Sequence, residues 1–286
     1  SVVTTTDAGT GVGYTGIRIR GSDATRINVT LNGVPVNDAE SQAVFWVNMP
    51  DLATSVEDIQ VQRGVGTSTN GPGAFGASIN MRSSNVAKDP FAEISAFGGS
   101  FNTQRYTARI RTGLINDRFS FDGRLSSITS DGYVDRATAD LKSYFLQGAW
   151  TGAKRSLRFI TFSGQEVTYQ AWAGVDPAIL DTDRTYNPYT YANEVDNYRQ
   201  THYQLLFDQR LGANTTLNIT AFHVLGEGYF EQYRTDDELS AYGIAPILVG
   251  GDTISTSDLV RRRWLDNVMT GLNASVDARL GRHRLM

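Results

Sequence analysis

The stretch Arg118–Ser126, "RFSFDGRLS", decides the fold of the larger part of the chain, because apolar and polar residues alternate along it. Successive side chains of a β-strand point to opposite faces, so this alternation gives the strand one apolar and one polar face. The apolar face holds Phe119, Phe121 and Leu125, and the polar face holds Arg118, Ser120, Asp122 and Arg124. The stretch therefore predicts a strand whose two faces meet different surroundings.

The same alternation recurs from Phe91 onward and predicts about eight strands, with a ninth beginning at the C-terminus. The connections alternate between short ones, such as "GAK" and "GAN", and long ones, such as 170–197 and 235–259. A soluble β-sandwich also has alternating strands, but it has no reason to separate its loops by length. Membrane barrels do, with short turns on one side of the membrane and long loops on the other. We therefore predict a mainly β fold that contains a transmembrane antiparallel β-barrel.

Composition excludes several other classes of protein. Charged residues make up 20% of the chain and the mean hydropathy is -0.29, and no apolar run reaches the roughly 20 residues of a spanning helix. The net charge of -4 provides no electrostatic footprint for nucleic acid, so we expect no nucleic-acid partner. The chain has no Cys, which excludes a disulfide scaffold and any thiolate metal site.

A polar segment, "SSNVAKDP" at Ser83–Pro90, separates the barrel strands from a glycine-punctuated region. We predict an N-terminal domain over 1–84, a linker over 85–90 and barrel over 91–286. Within the first domain, "GPGAFG" at Gly71–Gly76 matches the G-x-G-x-x-G fingerprint of a dinucleotide-binding turn. That turn must open a helix, whereas "ASINMRS" follows with the alternation of a strand. These glycines are therefore interpreted as tight turns and close approaches of the backbone.

Four consecutive elements of this domain resemble the plug of a TonB-dependent outer-membrane receptor. They are "GIRIRGSD", "RINVTLNGVPVND", "DLATSVEDIQVQRG" and "GPGAFGASINMRS". Gln60 stands where the family often has a second glutamate, Asn32 replaces a frequent aspartate, and no TonB box is recognisable before Gly16. The style of 31–50 is similar to that of receptors from Bacteroidetes-like bacteria.

The remaining strands resemble the opening of the family's barrel of about 22 strands. The chain is thus expected to be a fragment, with an incomplete plug domain and about the first eight barrel strands.

The resemblance implies active uptake of a scarce ligand across the bacterial outer membrane, with an iron–siderophore complex as the first candidate. A receptor for a glycan or cobalamin is the nearest alternative, and a passive porin, an adhesin or a soluble all-β enzyme is more remote. Expected partners are the TonB protein on the periplasmic side, outer-membrane lipid, and the iron–siderophore or other nutrient. Loops would bind the ligand while the plug gates the barrel.

The resemblance also assigns plug–barrel ionic contacts to three residues. Arg20 and Arg63, each followed by glycine, match plug arginines that pair with barrel carboxylates in the family, and Glu57 matches the first glutamate of its motif. Arginine suits such a contact because its planar fork makes two charge-assisted bonds together. Ion pairs within the plug are the alternative.

Ligand capture is predicted in the long loop "AWAGVDPAILDTDRTYNPYTYANEVDNY" at 171–198. Its aromatic side chains can stack on a planar chelator or sugar, and its arginine can meet an anion. The candidates are Trp172, Arg184, Tyr186, Tyr189 and Tyr191, with packing of the loop on itself as the alternative. The three histidines lack metal-ligand spacing and no catalytic motif is present. We therefore expect no enzyme, no catalytic or metal site and no cofactor.

Overall fold

The structure is a computed structural model that describes residues 2–65, 74–83, 86, 88–281 and 283–285. Its N-terminal part holds a two-stranded hairpin and a mixed four-stranded sheet. In the hairpin, β1 (Val2–Thr6) pairs with β2 (Thr15–Ile19). The four strands of the sheet are β3 (Ile27–Leu31), β4 (Val34–Pro35), β5 (Val56–Arg63) and β6 (Ala77–Ser83). Their order is β4-β3-β6-β5, and only β3 and β6 run parallel.

Short 3-10 helices connect these strands at Ala24–Arg26, Trp46–Asn48 and Leu52–Ser55. The last of them is the helical turn that the sequence predicts within "PDLATSVED". The strands β2, β3, β5 and β6 lie where the sequence predicts short strands, at Gly16–Arg20, Asn28–Leu31, Ile59–Arg63 and Ser78–Arg82. The hairpin partner β1 was not predicted. Its sequence, "VVTTT", lacks the apolar–polar alternation that revealed the other strands.

The second part is one antiparallel nine-stranded sheet, in which every strand pairs with its neighbours along the chain. The first five strands are β7 (Phe91–Gly99), β8 (Thr103–Arg111), β9 (Phe119–Ser130), β10 (Ala139–Thr151) and β11 (Arg155–Tyr169). The next are β12 (Val195–Arg210), β13 (Thr215–Glu238), β16 (Thr256–Leu280) and β17 (His283–Leu285), and β14 (Ile247–Val249) and β15 (Asp252–Ile254) form a separate small hairpin. The helix α1 (Pro177–Leu180) and a 3-10 helix at Leu239–Tyr242 lie in loops.

The nine strands confirm the predicted eight strands and the start of a ninth. The connections 112–118, 152–154 and 211–214 lie at one end, while 100–102, 131–138, 170–194 and 239–255 lie at the other. With the exception of 100–102, the connections at the second end are the longer ones, as predicted. We call these the short-turn end and the long-loop end. The sheet therefore has the loop asymmetry of a membrane barrel wall.

The two faces of the sheet have opposite character. In β9, Phe121 and Leu125 are 54% and 64% exposed on the outer face, whereas Asp122 and Arg124 are 5% and 2% exposed on the inner face. The outer face elsewhere carries exposed Ile94, Ile110, Val268 and Leu272. An apolar exposed face and a polar buried face are the reverse of a soluble protein, which is the arrangement predicted from "RFSFDGRLS".

The N-terminal sheet packs against the inner face of the large sheet through one continuous apolar core. Ile19, Leu31 and Ile79 from the N-terminal part belong to the same buried cluster as Phe145 and Ile160 from the large sheet. The large sheet thus forms a curved wall, and we refer to the N-terminal domain as the plug. Among the described residues, no helix combines the length and the apolar character needed to cross a membrane.

Gly76 shows why glycine occupies the last position of the G-x-G-x-x-G pattern. A Cβ there would lie 2.4 Å from Cβ of Ser22, and the Gly76 N–H donates to the carbonyl of Arg26 at 2.8 Å. The strand β6 begins at the next residue, so no helix follows the pattern. Gly71 and Gly73 lie outside the described residues.

Candidate functional site: the interface between plug and wall

A row of small side chains crosses the inner face of four neighbouring strands. Thr107 on β8 lies opposite Ser126 on β9, Ser126 lies opposite Ser143 on β10, and Ser143 lies opposite Gly164 on β11. We call these four residues the small-residue row. Each is the residue that its strand directs inward at the same level of the wall, so together they leave a shallow channel for the plug backbone.

The plug segment Asn48–Asp51 lies along this row. The Ser143 hydroxyl donates to the carbonyl of Pro50 at 2.7 Å. The hydroxyls of Ser126 and Thr107 donate to Oδ2 of Asp51 at 2.7 and 2.8 Å. A Cβ on Gly164 would lie 2.2 Å from the carbonyl oxygen of Asn48, so only glycine permits this approach.

Asp51 also forms ion pairs with two arginines of the wall. Its Oδ2 lies 3.2 Å from Nη1 of Arg124, and its Oδ1 lies 3.5 Å from Nη1 of Arg105. The side chains of Asp51 and Arg124 are 3% and 1% exposed, while that of Arg105 is 40% exposed. Nε of Arg124 has no acceptor among the described residues. The buried Arg124 charge therefore depends on Asp51 for compensation.

A second group of arginines connects the wall to the plug nearer the short-turn end of β8 and β9. Arg109 and Arg111 both hold the buried carboxylate of Asp122, at 2.7 and 2.9 Å. Nη1 of Arg109 also donates to the carbonyl of Thr54 in the plug at 2.7 Å. Asp122 thereby fixes the guanidinium that binds the plug backbone.

Asn32 makes a neutral contact at the opposite side of the plug sheet. Its Nδ2 donates to Oε1 of Gln204 on β12 at 3.0 Å, and its Oδ1 accepts the N–H of Ser83 at 3.0 Å. Asn32 has a φ of 57°, a left-handed conformation that asparagine tolerates better than most residues. The residue that departs from the family pattern is therefore both a turn residue and a contact to the wall.

Near the long-loop end, Tyr14 of the plug meets two buried carboxylates. The Tyr14 hydroxyl donates to Oδ2 of Asp196, and the neighbouring Glu166 is 0% exposed and accepts from Thr168 at 3.0 Å. Burial, followed by the nearby negative charge of Glu166 and Asp196, raises the pKa of the Tyr14 phenol well above its ordinary value. The phenol therefore stays protonated and keeps its role as a donor.

The predicted residues Arg20, Arg63 and Glu57 lie on the exposed surface of the plug. Glu57 and Arg63 lie near the two ends of β5, with exposed Ile59 and Val61 between them, and the strand register is irregular between Val56 and Asp58. Within the described part of the chain, neither Arg20 nor Arg63 forms an ion pair. The ionic contacts seen between plug and wall instead join a plug aspartate to wall arginines, and the pairing of Arg20, Arg63 and Glu57 stays a prediction.

Three of the predicted loop residues make contacts inside the protein. Trp172 packs edge-on against Tyr14 of the plug at 5.3 Å and against Phe230 at 5.6 Å between ring centroids. The Tyr191 hydroxyl donates to Oε1 of Glu231 at 2.9 Å, and the carbonyl of Tyr189 accepts from Arg136 at 2.9 Å. These partners lie on the plug, on β13 and in the loop over 131–138, so the three residues join the long loop to its surroundings, and their contact with a ligand stays a prediction.

The other two candidates face outward: Tyr186 is 38% exposed and Arg184 is exposed too. The structure thus divides the five loop residues into an inner set and an outer set. It places Trp172 against the plug, a contact that loop position alone did not predict.

Asp51, Tyr14 and the small-residue row were not found from the sequence. Serine and threonine at inward positions were visible, but their alignment across four strands follows only from the pairing register. The described residues hold no group of three or more His, Asp or Glu side chains placed to bind a metal ion.

Comparisons with known proteins agree with this geometry. The family model of the TonB-dependent receptor plug domain matches residues 1–78. No curated protein matches the chain in sequence.

Among solved structures, the chain is similar to the ferric-catecholate import receptor Fiu from E. coli K12, with a TM-score of 0.65 and 17% identity over 92% of this chain and 41% of Fiu. It is also similar to P. aeruginosa FpvA in complex with a ferric pyoverdine, with a TM-score of 0.71 and 9% identity over 99% of this chain and 37% of FpvA. The third is the FrpB iron transporter from Neisseria meningitidis, with a TM-score of 0.66 and 15% identity over 96% of this chain and 42% of FrpB.

These identities establish the fold alone, and the chain spans about two fifths of the length of these structures. Both the family model and the structural matches are to transport receptors and not to enzymes. Together, residues 1–78 match the plug domain of TonB-dependent receptors, and the plug and wall of this chain are similar in fold to these transport receptors.

Proposed function

We propose that the chain serves active, TonB-dependent uptake of a scarce ligand across the bacterial outer membrane. The observation that carries the proposal is a plug held on the polar inner face of a sheet whose outer face is apolar and exposed. A wide barrel would leak solutes unless something filled it, and the plug occupies that position. The domain division over 1–84, 85–90 and 91–286 fits, since β6 ends at Ser83 and β7 begins at Phe91.

Outer-membrane lipid is the proposed partner of the outer face. Ile94 is 88% exposed and Leu272 is 67% exposed, which is unfavourable in water but suits hydrocarbon. The TonB protein is the proposed partner on the side of the short turns. This orientation places the long loops outside the cell, where ligand arrives.

An iron–siderophore complex is the first candidate ligand, since Fiu and FpvA are both described with ferric siderophores and FrpB is described as an iron transporter. Outward-facing Tyr186 and Arg184 are the proposed points of first contact, because an exposed ring can stack on a planar chelator and a guanidinium can meet its negative charge. Trp172, Tyr189 and Tyr191 are proposed to hold the loop in place around that contact.

Uptake by the intact receptor tests this proposal. The receptor is produced in a strain lacking its own ferric-siderophore receptors, with and without TonB, and supplied with radiolabelled ferric catecholate, cobalamin or an oligosaccharide. We expect accumulation of the ferric catecholate only when TonB is present. Accumulation of cobalamin or the oligosaccharide instead would contradict the ferric siderophore as the ligand. Uptake that does not depend on TonB would contradict active transport.

A further inference from the structure

The contacts between the plug and the wall differ in strength from place to place. The segment Asn48–Asp51 combines hydroxyl donors from three strands with a buried ion pair. The hairpin of β1 and β2 contacts its surroundings through hydrogen bonds, in which the Tyr14 hydroxyl donates to Asp196 and the carbonyl of Ala8 accepts from the backbone N–H of Tyr133. No ion pair joins the described residues of that hairpin to the wall.

We propose that Asn48–Asp51 is a fixed anchor, which stays on the small-residue row while the hairpin of β1 and β2 leaves the wall during transport. Asp51 and Arg124 are the positioning residues of this anchor. The inference rests on the proposed transport function. It specifies which part of the plug moves and which part stays in place.

Charge is the first reason for a fixed anchor. Separating Asp51 from Arg124 would leave two charges in a region where their side chains are only 3% and 1% exposed. Two opposite buried charges that are separated both lose their compensation, whereas breaking a hydrogen bond outside an ion pair costs less. Movement therefore begins at the hairpin, whose described residues form no ion pair with the wall.

Shape is the second reason. The carbonyl of Asn48 and Cδ of Pro50 would lie 2.2 and 2.5 Å from a Cβ at position 164, so the plug backbone fills the space that Gly164 leaves. Asp51 has a φ of 57°, a conformation that aspartate and asparagine tolerate better than most other residues. The turn thus presents the carboxylate to Thr107 and Ser126 at the end of the segment.

Thiol labelling tests the anchor, because the chain contains no Cys and a single introduced cysteine is the only target that it offers. Leu52→Cys reports on the anchor and Ala8→Cys reports on the hairpin, since these residues are 6% and 8% exposed. A membrane-impermeant maleimide is applied to cells producing the intact receptor, with a ferric catecholate as the probe, with and without TonB.

We expect labelling of Ala8→Cys to rise several-fold with TonB and the ferric catecholate, while labelling of Leu52→Cys stays at its resting level. A rise at Leu52→Cys equal to that at Ala8→Cys would overturn the anchor. An unchanged Ala8→Cys in cells that accumulate the probe would overturn the assignment of the moving part.

A second measurement uses the purified receptor without ligand or TonB, so it does not depend on transport. Asp51→Asn keeps the left-handed backbone accessible but removes the charge, and Gly164→Ala crowds the carbonyl of Asn48. Each change is expected to raise labelling of Leu52→Cys by at least about tenfold, the factor that corresponds to 1.4 kcal/mol.

The matched controls are Asp58→Asn, whose partner Arg82 is 65% exposed, and Gly98→Ala, where a Cβ would meet nothing within 4 Å. Both are expected to leave labelling unchanged. If Asp51→Asn and Gly164→Ala behave like these controls, Asn48–Asp51 is not an anchor, whatever the uptake experiment shows. The two proposals can also fail separately. If the receptor shows no uptake, and Asp51→Asn and Gly164→Ala still raise the labelling of Leu52→Cys, the anchor stands and the proposed function fails.

Discussion

Tyr14 links three parts of the molecule through one side chain. Its hydroxyl donates to Asp196 on the wall, and its ring contacts Trp172 in the longest loop. The raised pKa of its phenol follows from burial beside two carboxylates, so deprotonation does not disturb this contact near neutral pH. Trp172 therefore connects the long loop directly to the plug.

Replacing Tyr14 with Phe is expected to lower the free energy of unfolding of the plug by about 1–3 kcal/mol, because Asp196 loses its donor in a buried place. Urea denaturation of the purified intact receptor, followed by a plug-specific fluorophore, measures this change. Tyr106→Phe is the control, since that ring is 56% exposed and its hydroxyl donates to Gln104 on the surface. Equal effects of the two substitutions would contradict the role of Tyr14.

Arg63→Glu tests the ionic contact that the family resemblance assigns to the plug. If Arg63 meets a carboxylate in the intact receptor, reversing its charge is expected to loosen the plug and raise the sensitivity of cells to large antibiotics. Arg26→Glu is a suitable control, because Arg26 lies 3.9 Å from exposed Asp23 within the plug itself. Unchanged sensitivity with Arg63→Glu would reject the assigned contact.

At the level of elements, the loop over 170–194 consists of two functional sets. Tyr191 is bonded to Glu231, and this hydrogen bond raises the pKa of the Tyr191 phenol, whereas Tyr186 is exposed. The contact of Tyr191 with β13 holds the loop in place, and the exposed side chains are the ones proposed to meet the ligand.

Tyr186→Ala and Tyr191→Ala are therefore expected to behave differently. If Tyr186 meets the ligand as proposed, Tyr186→Ala should weaken binding of the transported ligand by several-fold, and the melting temperature should stay unchanged because the ring is exposed. Tyr191→Ala should weaken binding and also lower the melting temperature, because it removes the bond to Glu231. Binding titration and scanning calorimetry separate the two effects, and a lowered melting temperature with Tyr186→Ala would contradict the division.

The sequence predicted the barrel strands well because each has one apolar and one polar face. The alternation predicts strands over Arg155–Tyr169 and Thr215–Tyr233. β11 has the first of these limits, whereas β13 begins at Thr215 but extends to Glu238. The last residues of β13, "RTDDE" at Arg234–Glu238, are all polar. Strand pairing continues there through backbone hydrogen bonds, so no alternation of apolar and polar residues marks this part of the strand. The small hairpin of β14 and β15 was missed for the same reason, since Ile247–Val249 is exposed at every position.

The interface was less predictable, because it depends on the register of strands that are distant in sequence. Arg105 and Arg124 were recognisable as inward-facing arginines, but their common partner Asp51 lies in the plug. Family resemblance pointed to plug arginines instead. A single sequence contains no signal that pairs position 51 with position 124.

At the scale of the whole molecule, apolar residues face outward on the wall and inward in the plug. The outward-facing apolar residues of the wall predict that substitution by Lys has different effects at two exposed isoleucines, one on the wall and one in a loop. Ile94→Lys places a charge on the outer face and is expected to destabilise the receptor in a bilayer by about 2–4 kcal/mol. Ile179→Lys, in the helix α1 of the long loop, is expected to change it little. Folding into lipid vesicles measures both, and equal effects would contradict a lipid-facing wall.

The small-residue row also bears on how the barrel assembles. Each of its members comes from a different strand, and a slip of one residue in any strand would turn its member outward and bring a neighbouring side chain inward. In β11, such a slip would present Ser163 or Gln165 to the plug where Gly164 belongs. Such a slip would remove the space that the carbonyl of Asn48 occupies at position 164, so the seated plug requires this one register of β11.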